Sequence, residues 1–101
     1  MTRRVRVLVW HADLGAPEEL LETYHQVSRK MAGTAGLLGN ELLRSTTEPG
    51  TYVLISEWES LAAFRAWDVS DGHLVTVPLR RFRDPRRPGR PFDICEVDAA
   101  Y

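Results

Sequence analysis

Two extended apolar runs, separated by one turn and leading straight into an amphipathic helix, restrict this chain more than any other feature. Leu38–Ser45 reads Leu-Gly-Asn-Glu-Leu-Leu-Arg-Ser and Thr51–Trp58 reads Thr-Tyr-Val-Leu-Ile-Ser-Glu-Trp, with Glu48-Pro49-Gly50 between them. Proline fixes φ and glycine accepts positive φ, so the tripeptide turns the chain and the two runs pair as strands. Ser60 is placed to cap a following helix, in which Leu61, Phe64 and Trp67 share one face with Ala63.

The flanking segments complete the pattern. Val5, Val7 and Val9 alternate with Arg6, Leu8 and Trp10, a first strand that is apolar on both sides. Pro17 suits the first helical position, Glu18 and Glu19 suit the positive end of a helix, and Leu20, Tyr24, Val27 and Met31 recur at helical spacing. Gly33 and Gly36 end that helix. Ser70-Asp71-Gly72 closes the second helix, His73–Phe82 reads as a short helix interrupted by Pro78, and Phe92–Val97 reads as a fourth strand. The order β-α-β-β-α-β predicts a ferredoxin-like α+β sandwich. It forms one domain over residues 1–101, with an Arg/Pro-rich loop at about 83–91. Strand three also offers Val53 and Ile55 on one side and Tyr52, Leu54 and Trp58 on the other. A sheet covered by helices on one face only should be polar on the other, so a second copy packed sheet on sheet is expected.

Composition narrows the partners. A formal net charge of −1 gives the whole molecule no pull toward nucleic acid or an anionic membrane. The apolar run Val5–Trp10 is too short for a membrane span or a signal segment, and a single cysteine, Cys95, forms no internal disulfide. A cytoplasmic protein is the expectation, with Cys95 a small buried strand residue. His11, His25 and His73 are scattered without metal-ligand spacing, and no glycine-rich phosphate loop follows a strand.

What remains for chemistry is aromatic and imidazole. Trp58 at the end of strand three, Trp67 on helix two and Tyr24 on helix one converge on the space between helices and sheet. They either fill a small core or wall a pocket. His73, just past helix two, is placed to reach the same space; an imidazole there is either a loop residue or a general base for a phenolic or enolic proton. His25 borders the apolar face of helix one, as a half-exposed residue or a second pocket group. Six arginines lie between Arg80 and Arg90. They form a solvated loop, or one of them, Arg80 first, holds an anionic oxygen of a ligand.

Gly36-Leu37-Leu38-Gly39 through Leu42-Leu43-Arg44-Ser45, and Glu57-Trp58-Glu59-Ser60 through Ala63-Phe64, resemble the antibiotic biosynthesis monooxygenase family over roughly Val5 to Val97. The resemblance implies a dimeric α+β barrel and, in its closer branch, a small oxygenase of aromatic polyketides. Such an enzyme takes anthrones or naphthols to quinones with no cofactor and with O2 as co-substrate. It implies His73 as base, Trp58 and Trp67 as walls, and Tyr24 or Arg80 holding phenolate oxygens. The related haem-degrading branch places a histidine further beyond the helix-two tryptophan than the six residues that separate Trp67 from His73, so it fits less well. Two other readings use the same pocket: a cofactor-free polyketide cyclase, which would consume no O2, and a non-catalytic dimeric binding protein.

Overall fold

A computed structural model of the chain describes residues 2–101. Strand β1 (Val5–Ala12) is followed by helix α1 (Pro17–Met31), the hairpin of β2 (Leu37–Arg44) and β3 (Thr51–Trp58), helix α2 (Leu61–Asp68), a 3₁₀ segment (Asp71–Phe82) and β4 (Phe92–Glu96). The four strands form one antiparallel sheet in the order β2-β3-β1-β4. This is the expected ferredoxin-like α+β arrangement, with the two central strands being those most apolar on both faces.

Local chemistry sets the helices. α1 opens with Pro17, Glu18 and Glu19 and closes with Arg29 and Lys30, matching its dipole at both ends. Ser60 caps α2, its Oγ accepting from the Ala63 N–H at 3.0 Å. Both helices and the 3₁₀ segment lie on one face of the sheet. There Val5 and Val7 of β1 pack with Leu20, Val27, Met31, Phe64, Leu79 and Phe82.

Five expectations differ from the structure. The segment expected as an interrupted helix over His73–Phe82 is a continuous 3₁₀ run from Asp71 to Phe82 with Pro78 inside it. Its three-residue turns start at Ser70, whose Oγ accepts from the Gly72 N–H at 3.1 Å, so Asp71 and Gly72 open this segment rather than end α2. β2 runs one residue earlier than expected at each end, with a register irregularity between Leu37 and Gly39. β4 stops at Glu96, one residue short of Val97. Cys95 is exposed rather than buried, because β4 is an edge strand and Cys95 lies opposite Arg6 on the face away from the helices.

That outer face carries a row of Leu43, Val53 and Trp10 and a second of Ile55 and Leu8, in register across three strands. Glu57 beside them pairs with Arg4 and Arg6 at 3.2 and 3.1 Å. Leu43 is 41% exposed, so one copy alone leaves apolar surface in water.

The Arg/Pro-rich loop is anchored at both ends to the end of β1. Trp10 N–H donates to Pro91 O at 2.8 Å, and the Asp84 N–H donates to Trp10 O at 3.1 Å. The buried Asp84 carboxylate accepts from Arg86 Nε at 2.9 Å, and Arg86 reaches on to Thr51. Arg87 stacks over the Trp10 ring at 4.1 Å.

Candidate functional site

The sheet and the helical layer do not close fully on one another. Between them lies a cavity of about 210 Å³, several times the roughly 30 Å³ that one water occupies, so it accommodates a ring system. The sheet wall is built by strand alternation. Val7, Val9 and His11 point inward from β1, Leu54 and Ser56 from β3, and Asn40 from β2, because each shares a register row with an inward neighbour. Phe92 and Ile94 of β4 stand opposite Val9 and Val7 and are 45% and 38% exposed, so the cavity is open along its β4 side.

The helical wall is aromatic. Trp67 and Phe64 of α2 line it with ring centroids 6.1 Å apart. Trp58 stands one layer behind them and does not line the cavity. It is fully buried, 5.1 Å from the Trp67 ring and 5.6 Å edge-on to Phe64, and its indole N–H donates to Ser56 Oγ at 3.0 Å. The expected wall residue is thus the packing support of Trp67, because its strand position aims it at the core beneath α2.

Of the other site candidates, Tyr24, Arg80 and His73 line the cavity and His25 does not. His25 is exposed on α1, with its ring 5.5 Å from that of Tyr24. Tyr24 Oη donates to Asn40 Oδ1 at 2.5 Å, and Ser28 Oγ donates to the same oxygen at 3.2 Å. With its oxygen so occupied, Asn40 keeps its amide N–H groups for another partner. His73 Nδ1 faces Ser70 O. A carbonyl only accepts, so Nδ1 carries the hydrogen and Nε2 is left as the acceptor of the neutral ring. Arg80 and Arg83 line the cavity against one carboxylate, Asp68, giving it a positive balance.

Several polar lining groups have no role in the sequence analysis, His11 and Asn40 foremost. His11 is 2% exposed, in phase with Val5, Val7 and Val9, and Asn40 is the polar residue that shares a row with Ser56 and Val7. For His11 the signal was a polar residue in phase with a buried apolar run. Burial, reinforced by the nearby Arg83 charge, pushes the His11 pKa below the ordinary histidine value, although the bond to Val9 O acts the other way. Among the described residues no three His, Cys, Asp or Glu side chains gather as a metal site.

The antibiotic biosynthesis monooxygenase family model matches residues 4–79, three quarters of the chain and all the elements that carry the cavity's two walls except β4 and the end of the 3₁₀ segment. The chain belongs to this family. A 42.8 kDa protein in the whiE locus of Streptomyces coelicolor is 40% identical over 75 residues, covering 73% of this chain and 19% of that protein. The chain spans about a fifth of the length of the curated relatives it matches. Among solved structures, SnoaB, a cofactor-independent oxygenase from Streptomyces nogalater, superposes with a TM-score of 0.73 at 22% identity, over 100% of this chain and 96% of that one. A heme-degrading protein of Mycobacterium tuberculosis gives 0.71 at 21%, over 97% and 98%. These two likenesses establish the shared fold. No helix of the described residues is long and apolar enough to cross a membrane.

Proposed function

We propose that this family member is a cofactor-independent monooxygenase that oxidises an electron-rich polycyclic aromatic, an anthrone or naphthol, to its quinone with O2 as co-substrate. The observation that carries the reading is the cavity's composition. An aromatic wall of Trp67 and Phe64 meets an imidazole, His73, whose Nε2 is free to accept a proton. An anthrone or naphthol becomes electron-rich enough to give electrons to O2 once it has lost a proton, so the protein has to supply a base, orientation and exclusion of water. Trp67 stacks the rings and Trp58 holds Trp67 in place. Tyr24, steadied by Asn40, and Arg80 bind the oxygens that gain negative charge. His25, exposed and off the cavity, is left out of the machinery. The kinship with a protein of a Streptomyces whiE locus and the shared fold of SnoaB support the same direction.

The apolar outer face of the sheet supports a homodimer closed sheet on sheet, with Trp10, Val53 and Leu43 at its centre. Val53→Glu should then shift the protein to monomer in sedimentation.

The test of the activity is oxygen uptake by purified, metal-stripped protein with a panel of anthrones and naphthols. Uptake that yields the quinone and is lost in His73→Ala is the expected result. Conversion under argon would instead identify a cyclase. Binding without conversion would identify a carrier.

A further inference from the structure

The cavity holds a second imidazole that the reading above does not use. His11 projects from β1, on the wall opposite the helical layer that bears His73. Its Nδ1 donates to Val9 O at 2.8 Å, which fixes the hydrogen there. No fully enclosed side-chain nitrogen or oxygen of the described residues lacks a partner, so Nε2, which makes no hydrogen bond, borders open space, and the ring it belongs to lines the cavity. The charged and titratable groups around it are Tyr52 beside it on β3, Arg83 bridging to it from the loop, Tyr24 of α1, Asp68 of α2, and His73 and Arg80 of the 3₁₀ segment. Its lowered pKa keeps the ring neutral near pH 7, so Nε2 offers a lone pair. The imidazoles of His11 and His73 thus face one slot from its two walls.

Oxidation of an anthrone-type carbon needs two proton removals. A CH2 carbon becomes C=O while one O2 is reduced by four electrons, one oxygen ending in the carbonyl and the other in water. The two hydrogens of that carbon stand on opposite faces of the flat ring system. We propose that His11 is a second catalytic base of this cavity, taking the proton on the sheet-facing side after His73 has taken the one on the helix-facing side. This rests on the oxygenase reading. His73 Nε2 removes the first proton and the pair stays on the substrate, delocalised onto its oxygens. O2 accepts electrons from that anion one at a time and bonds to the carbon on the vacated face. The proton on His73 passes to the outer oxygen, giving a hydroperoxide. His11 Nε2 then removes the remaining C–H proton, C=O forms, the O–O bond breaks, and the departing hydroxide recovers the proton from His11 as water.

The test is rapid quenching of a single turnover with an anthrone in oxygenated buffer, following O2, hydroperoxide and quinone separately. In the unaltered protein the quinone should form in step with O2 loss, one for one. In His73→Gln, O2 uptake itself should slow by about 10²-fold or more. In His11→Gln, quinone formation should lag by about 10²-fold or more while substrate hydroperoxide accumulates. Quinone formed by His11→Gln at the unaltered rate would overturn the proposal, as would loss of O2 uptake with no hydroperoxide. Should the variant not fold, the unaltered protein decides: the hydroperoxide must live longer as pH falls through the His11 titration, and a pH-independent decay refutes the assignment. Absence of O2 uptake by the unaltered protein would refute the oxygenase reading itself, a result distinct from either His11 outcome.

Discussion

Gly36→Ala should damage this protein through the position of α2. Gly36 has φ +81°, a backbone region that costs a residue with a Cβ about 1–2 kcal/mol. A Cβ built there would lie 2.5 Å from the Ala63 Cβ, a contact that neither residue can rotate away from. Apolar carbons rest at about 3.5–4.0 Å, so α2 must retreat by roughly 1 Å, an overpacking that costs about 1–3 kcal/mol. The total is about 2–5 kcal/mol, a large share of the roughly 5–15 kcal/mol that holds a typical domain folded. Urea unfolding should show the midpoint falling by about 1 M or more. The two causes separate in a double-mutant cycle. Ala63→Gly removes the opposing Cβ at a helix-propensity cost of about 1 kcal/mol, and in that background Gly36→Ala should cost only the backbone part. An equal cost in both backgrounds would refute the clash. A cost below about 0.5 kcal/mol, within the ordinary range of surface changes, would refute the whole account of this contact. Because α2 carries Phe64 and Trp67, the same substitution should also weaken binding of aromatic ligands.

Further outcomes follow from the same geometry. Trp58→Ala should cost about 3–5 kcal/mol in denaturant unfolding, since a fully buried indole is removed, whereas Trp67→Ala, on the half-buried cavity wall, should show its main loss in ligand binding by titration. The buried His11 ring resists a proton that the unfolded chain accepts, so stability is fully present above the ordinary value near 6.5 and falls as pH drops from there through the folded pKa; His11→Gln should flatten that part of a stability-versus-pH curve. The Arg86 guanidinium beside Asp84 holds its carboxyl below the usual range, so the ionised form stabilises the fold above about 3.8. The stability gap between the unaltered protein and Asp84→Asn should therefore be constant at neutral pH and close as pH falls below that value. Tyr24→Phe removes the bond to Asn40 and should raise KM for a phenolic substrate, with the fold unchanged by circular dichroism.

Much of the frame was legible because period and turn chemistry agree. The alternation from Val5 to Val9, the spacing of Leu20, Val27 and Met31, and the Pro-Gly turn before Thr51 each specify one element, and each is found in place. The 3₁₀ segment was misread because Pro78 interrupts an α-helix but sits within three-residue turns that tertiary packing of Leu79 and Phe82 holds in place. Cys95 was misjudged because an apolar strand pattern does not reveal that the strand is an edge. At the site, Tyr24, Trp67, His73 and Arg80 meet at one cavity. Trp58 and Trp67 could not be told apart by type, since depth behind the wall depends on how α2 crosses the sheet. His11, whose phase was visible, and Asn40 were missed because a polar residue gains its meaning only when the strand beside it is known.

Isotopic labelling reads oxygen transfer from O2 to an aromatic ligand directly. Purified protein would be given an anthrone under heavy-isotope O2, with the quinone examined by mass spectrometry. One labelled oxygen is expected in each quinone and the other in water. A quinone carrying oxygen from solvent alone, before any exchange, would contradict that transfer.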